Sequence, residues 1–229
     1  MSFIPPMSTI RLSPSTLNLF NDCPRCFWLH MNKKLHRPRG IFPSLPGGMD
    51  NVIKVFYDTY RKRDKLPPEI EGQVEGKLIP DIELMAKWRN WRTGLEYHDE
   101  IREATLFGAL DDCLVDDNYY IPLDYKTRGY TPKDGASEKY YGNQISCYNL
   151  LLKENGFKVR DYGYLVYYYP KSVRKDGLVQ FNVKPIKIKA DAETGRDTFE
   201  RALKLLKGQE PNKKYTGCEY CSWNNEYLD

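Results

Sequence analysis

The segment Gly108 to Gly129, GALDDCLVDDNYYIPLDYKTRG, constrains the fold of this chain more than any other. Two runs of alternating apolar residues flank the turn sequence Asp116-Asp117-Asn118, which predicts a β-hairpin. Pairing the runs around that turn sets Asp124 roughly opposite residues 110 to 112. Lys126 follows Asp124 by two positions and shares its face of the sheet. Asp111 closes a Gly-Ala-Leu run, and Asp124 closes Ile121-Pro122-Leu123. Each acid thus ends an apolar stretch, where a carboxylate needs a partner or a metal. The bland alternative is a solvated strand with a cross-strand charge pair, since Asp-x-Lys alone is common. Asp112 points away from Asp111 and is expected in solvent.

Helices are expected around this hairpin. Leu12 to His30 reads as one helix, with Ser13 as N-cap, Pro14 in the first turn, and Leu17, Phe20 and Phe27 on one side. Arg37 to Gly48 holds three prolines and three glycines and reads as a loop. Met49 to Arg63 reads as an amphipathic helix presenting Met49, Val52, Phe56 and Tyr60. Asp81 to Tyr97 predicts a further helix, and Ser137 to Gly156 another, closed by Gly156. Asp161 to Pro170 and Gly177 to Lys189 read as strands. Asp191 to Gly208 reads as a last helix despite Gly195 within it. Helices before, between and after strands indicate an α/β fold, a mixed central sheet flanked by helices. A chain of 229 residues is expected to form a single domain, with its core at roughly residues 100–190. No run approaches the roughly 18 apolar residues that span a bilayer. The N-terminus lacks the pattern of an export signal. A cytoplasmic setting follows as the expectation, and there cysteines serve as thiols or metal ligands.

Two acids beside a lysine suit metal-assisted phosphodiester hydrolysis. A hard cation such as Mg2+ or Mn2+ takes oxygen ligands, neutralises phosphate charge and acidifies water. The lysine can orient the attacking water or stabilise charge at phosphorus. The backbone carbonyl of Tyr125, between the two side chains, is a further candidate ligand once the strand is locally distorted. Gln144 and Tyr148 stand at i and i+4 on the following helix, hence on one face. GALDD, LDYKT and Gln144-Ile-Ser-Cys-Tyr148 together resemble the PD-(D/E)XK nuclease superfamily, and within it the RecB-like branch with its GxxD, (D/E)xK and QxxxY pattern. The opening LSPSTLNLFNDCPRCFWL is also similar to the first helix of that branch. The resemblance implies a restriction-endonuclease-like core. It implies Asp111 and Asp124 as ligands of Mg2+ or Mn2+, Lys126 as catalytic, and Gln144 and Tyr148 as buttresses of the site or DNA contacts. The branch usually carries a His or Glu on a helix after a Gly-rich turn. Here LPGGMDNVIKVF offers Asp50, either as a third ligand or as the N-cap of its helix.

The six cysteines divide. Cys23-Pro-Arg-Cys26 and Cys218-Glu-Tyr-Cys221 are two CxxC pairs, with Cys26 and Cys218 192 positions apart. Two such pairs point to a four-thiolate site that clasps residues 10–40 to residues 210–229 in a small lobe. Thiolates alone accept either zinc or an iron–sulfur cluster. Similarity to the CRISPR-associated exonucleases of the RecB-like branch implies a 4Fe-4S cluster. Those proteins set one cysteine near the N-terminus and three near the C-terminus, whereas the split here is two and two. Cys113 and Cys147 read as core.

A net charge of +4 does not by itself argue for nucleic acid, but basic residues cluster. Lys33, Lys34, Arg37 and Arg39 form one run, while Arg89 and Arg92 interleave with Trp88 and Trp91 in another. Such runs can hold a single strand without sequence preference, or can be solvated helix faces. His30, His36 and His98 match no part of the pattern and read as surface residues or phosphate contacts. The expected partner is DNA, single-stranded or with single-stranded ends, cut by an exonuclease. Protein partners in a repair or CRISPR adaptation complex are a further expectation. The rival reading is a non-catalytic nucleic-acid-binding subunit of the same fold.

Overall fold

The structure is a computed structural model and describes residues 10–38, 40, 43–133, 135–211 and 217–221. The expected hairpin forms β5 (Asp112–Asp116) and β6 (Tyr119–Thr127), turning through Asp117 at a φ of 54°. Its register pairs Asp112 with Leu123, so Asp111 and Asp124 lie at the same end. Around it run β2 (Lys77–Leu78), β7 (Lys158–Val159), β8 (Tyr162–Val173) and β9 (Val179–Lys189). The order is β2-β5-β6-β8-β9, with β7 also paired to β6. The β6–β8 and β6–β7 pairs are parallel and the others antiparallel, so this sheet is mixed.

β1 (Ile10–Leu12), β3 (Leu95–Asp99) and β4 (Ala104–Gly108) form a separate three-stranded sheet, in the order β1-β4-β3. The run from Ile101 to Asp117 therefore feeds two sheets. Ala109, Leu110 and Asp111 make the bend between them, held by Leu110 N–H donating to Trp88 O at 3.0 Å. Asp111 stands at this crossing.

Alternation along β6 sends its two faces to two cores. Ile121, Leu123 and Tyr125 pack with Leu114, Val166 and Tyr168 under Ile53 and Tyr57 of α3 (Ser44–Arg61). The opposite face packs Cys113, Leu165 and Tyr167 against α5 (Ala136–Glu154) and α6 (Ala192–Leu206). Two glycines let α5 approach closely. A Cβ on Gly108 would stand 2.8 Å from Leu151 Cδ1, and one on Gly195 would stand 2.6 Å from Ser146 O. Gly195 thus sits inside α6 because a backbone occupies the space of its side chain.

Four sequence expectations shift. The first helix is two, α1 (Pro14–Asp22) and α2 (Pro24–Asn32), because Cys23 leaves the helix and caps α2, accepting from Cys26 N–H. α3 begins at Ser44 and runs through Pro46, Gly47 and Gly48, so part of the expected loop is helix. Its buried face is Ile53, Tyr57 and Arg61 rather than Met49, Val52, Phe56 and Tyr60, and Val52 is exposed. The helix from Asp81 stops early as α4 (Ile82–Arg89), capped by Asp81, and Leu95 onward is strand. Among the described residues, no helix is long and apolar enough to cross a membrane.

Candidate active site and cysteine centre

Asp124 is buried on the α5 face of β6. Gln144 Nε2 donates to Asp124 Oδ1 at 2.8 Å and to the Tyr148 hydroxyl oxygen at 2.8 Å. Gln144 Oε1 accepts from Lys126 Nζ at 3.2 Å. Lys126 Nζ also pairs with Asp124 Oδ2, which is sealed from water. Burial, then the charge of Asp111, pushes Asp124 up to about 7. Burial disfavours the Lys126 ammonium, but Asp124 and Asp111 outweigh it and hold its pKa above the ordinary value.

Asp111 reaches the same place from the inter-sheet bend. Its Oδ2 accepts from Tyr125 N–H at 3.2 Å. A strand residue sends its N–H and C=O to the same edge. The Tyr125 carbonyl therefore leaves β6 on the Asp111 side, where β5 begins only at Asp112. The pairing of β6 with β8 stays in register through Tyr125, so no distortion is required. Lys54 Nζ bridges Asp111 Oδ1 and Asp50 Oδ2, at 2.7 Å each. Asp50 lies within α3 and does not cap it. Burial and then Asp111 raise its pKa. Lys54 escaped the sequence reading, although its i+4 spacing from Asp50 was a usable signal. Three acids thus converge with two lysines.

The next residue behaves differently. Asp112 is fully buried, and the expectation of solvent is wrong because α3 covers that face of the sheet. Arg61 Nη2 donates to both its oxygens at 2.6 and 2.8 Å, and Arg89 Nη2 to Oδ2 at 2.7 Å. Tyr125 OH and Cys113 N–H add bonds of 2.6 and 2.8 Å. Arg89 also donates to Asp58 Oδ2 and, through Nε, to Asp111 O, both at 2.7 Å. This corrects Arg89 as a nucleic-acid contact: each of its three nitrogens donates inside the fold. It holds the Asp111 backbone instead.

The sequence profile of the PD-(D/E)XK nuclease superfamily matches residues 68–225, a span that contains Asp111, Asp124, Lys126, Gln144 and Tyr148. The chain belongs to this superfamily. Sixteen chains of solved structure are similar to it. One, the crystal structure of SSO0001, shares 14% identity over 97% of this chain and 88% of that one, with a TM-score of 0.48. No curated protein matches. Members of the PD-(D/E)XK superfamily usually use divalent metals. The residues here fit one: the buried Asp124 carboxylate faces the Asp111 carboxylate, and both offer hard oxygen donors.

Four thiols from both ends of this PD-(D/E)XK chain also converge. Cys23 Sγ lies 3.6 Å from Cys221 Sγ, and Cys26 Sγ lies 3.6 and 3.5 Å from those of Cys218 and Cys221. All four sulfurs lie within 4.8 Å of one another and are buried, a group that could hold a metal. Arg37 Nη2 donates to Cys218 Sγ at 3.4 Å, while its Nη1 pairs with Asp22 at 2.5 Å. Burial opposes ionisation of Cys218, yet the Cys221 N–H and the neighbouring thiols bring it down to about 7. Cys113 and Cys147 are buried in the core, apart from this group.

The remaining basic candidates scatter. Lys33 and Lys34 are exposed near the end of α2, and Lys34 Nζ donates to Met31 O at 3.0 Å. Trp91 is exposed with the Arg92 guanidinium 4.9 Å from its ring centroid. Arg39 lies outside the described residues. His30 and His36 contact each other, with Nδ1 atoms 2.9 Å apart, and His98 Nδ1 meets Thr105 Oγ1 at 3.0 Å.

Proposed function

We propose that this chain is a metal-dependent DNA nuclease of the RecB-like branch, acting as an exonuclease on DNA with single-stranded ends. The observation that best supports it is the convergence of Asp111, Asp124 and Lys126 at one end of the β5–β6 hairpin, with two carboxylates close enough to raise the pKa of Asp124. Asp111 and Asp124 hold Mg2+ or Mn2+, with the Tyr125 carbonyl and Asp50 as further oxygens. A cation held there would supply neutralisation of phosphate charge and a more acidic water. Lys126 holds its proton against burial and offers positive charge to the scissile phosphate. Gln144 fixes Asp124 from one side and Lys126 from the other, and Tyr148 fixes Gln144. Lys54 keeps Asp50 and Asp111 together. Lys33, Lys34, Trp91 and Arg92 contribute contacts to the DNA backbone or bases, whereas the Arg37 guanidinium is engaged by Asp22 and Cys218. The whole chain acts as one nuclease unit in the cytoplasm, joined to partners in repair or CRISPR adaptation.

Incubation of end-labelled DNA with Mg2+ or Mn2+ tests the enzyme. Wild type releases nucleotides, and Lys126→Ala slows release on the order of a thousandfold. Equal rates for the two proteins sink the enzymatic reading in favour of a non-catalytic binding subunit.

For the cysteine centre, likeness to the CRISPR-associated exonucleases supports a 4Fe-4S cluster. The sulfur spacings favour a second reading, zinc. A tetrahedral zinc with bonds of about 2.3 Å sets its sulfurs about 3.8 Å apart; three pairs here stand at 3.5 to 3.6 Å and all lie within 4.8 Å. A four-iron cube spreads the same sulfurs wider. Anaerobic purification followed by metal analysis decides: a brown protein with four irons supports the cluster, and a colourless one with one zinc supports the tetrahedral ion.

A further inference from the structure

The rim of the acid site carries a cationic and aromatic surface that the fold does not consume. One row of α5 side chains leads outward from Asp124: Tyr148, then Gln144, then Tyr141, whose ring lies 4.6 Å from Lys126 Nζ. One position before Tyr141, Tyr140 is 60% exposed, with Lys139 Nζ 5.9 Å from its ring. Just beyond the end of β6, Arg128 N–H donates to Tyr168 O at 2.9 Å, which fixes its backbone beside the sheet. The Arg128 guanidinium lies 4.7 Å from the Tyr130 ring and donates to the Tyr130 hydroxyl at 3.0 Å. It also lies 5.8 Å from the ring of Tyr167, a buried residue. Tyr130 is itself 60% exposed.

Packing therefore does not explain Tyr130 and Tyr140, because most of each remains in water. Rings beside cations offer what a nucleotide strand needs, a face for a base and a charge for a phosphate. In a duplex the base faces are already stacked on one another, so such a surface selects unpaired nucleotides. We propose that Arg128 and Tyr130, just beyond β6, and Tyr140, next to Tyr141 on α5, form a stacking platform for the single-stranded nucleotides that flank the phosphate at the acid site. This rests on the nuclease reading of Asp111, Asp124 and Lys126, and adds where the strand lies.

Fluorescence anisotropy of the full chain tests it, with labelled oligo-deoxythymidine and a blunt duplex of equal length. Ca2+ replaces Mg2+ so that binding is read apart from cleavage. Tyr130→Ala combined with Tyr140→Ala is expected to weaken single-strand binding about tenfold or more and to leave duplex binding unchanged. The matching pair of Phe substitutions keeps the rings and keeps the binding. Arg128→Gln lowers the salt slope for the single strand by roughly 0.7, the loss of one phosphate contact. Wild-type single-strand affinity in the Ala pair overturns the platform, and so does an equal loss on both DNAs. A wild type that binds in this way but cuts nothing with Mg2+ sinks the nuclease reading and leaves the platform standing.

Discussion

Asp112 and Asp124 lie on neighbouring strands, both sealed from water, and their charges are met in opposite ways. Asp112 receives donors from Arg61, Arg89, Tyr125 and its own neighbour's N–H, so both oxygens are saturated. Asp124 has Gln144 on one oxygen and only the Lys126 ammonium against the other. A fold that can supply two guanidiniums to one carboxylate does not leave the next half-served for want of donors. The first acid locks α3 and α4 onto the sheet through two guanidiniums, while the second is met by one lysine and one amide. Buried charge by itself does not mark a functional group; here the contrast lies in how many donors meet each carboxylate.

Paired substitutions test this contrast most severely. Asp124→Asn is expected to cut nuclease rate on the order of a thousandfold while leaving the melting temperature of the metal-free protein unchanged or raised. Asp112→Asn strands Arg61 and Arg89 around a neutral group and should cost about 3–5 kcal/mol of stability in denaturant unfolding. If both variants unfold alike, the distinction between the two acids fails.

A smaller effect concerns pH. The Asp124 pKa is raised to about 7 in the folded chain, above the ordinary 3.8. Between these values the folded state holds a proton that the unfolded state has lost, so metal-free stability falls as pH rises through that window. Asp124→Asn removes this component, and the difference between the two melting curves against pH isolates it. The same proton competes with the cation, so Mg2+ affinity measured by titration calorimetry should weaken below about pH 7.

The parts of this site that could be read in advance are those fixed by local pattern. The alternation through Cys113–Asp116 and Tyr119–Thr127, the turn between them, and the i, i+4 pair Gln144 and Tyr148 all follow from short-range geometry. What escaped depends on the third dimension. Asp112 looked solvated because nothing nearby in sequence covers it, and its cover comes from Tyr57 and Arg61, more than fifty residues earlier. Arg89 looked like a phosphate contact because its run is basic, yet its carboxylate partners lie on α3 and β5. Helix α3 absorbs Pro46, Gly47 and Gly48, and its buried stripe is shifted by one residue from the most apolar one. That stripe includes Arg61, which a hydrophobic pattern cannot count as core. The spacing of Lys54 from Asp50 was legible, but its second partner, Asp111, lies 57 positions away.

The cysteine group also has a consequence for how the protein is made. Cys26 leaves the ribosome 192 residues before Cys218, which at ordinary synthesis speeds is about 10–40 s. Until then a nascent chain presents two thiols that can bind loosely but cannot close a four-coordinate site. Loading must therefore follow translation of nearly the whole catalytic core. A metal or cluster held by all four thiols would tie together segments 192 residues apart in one chain.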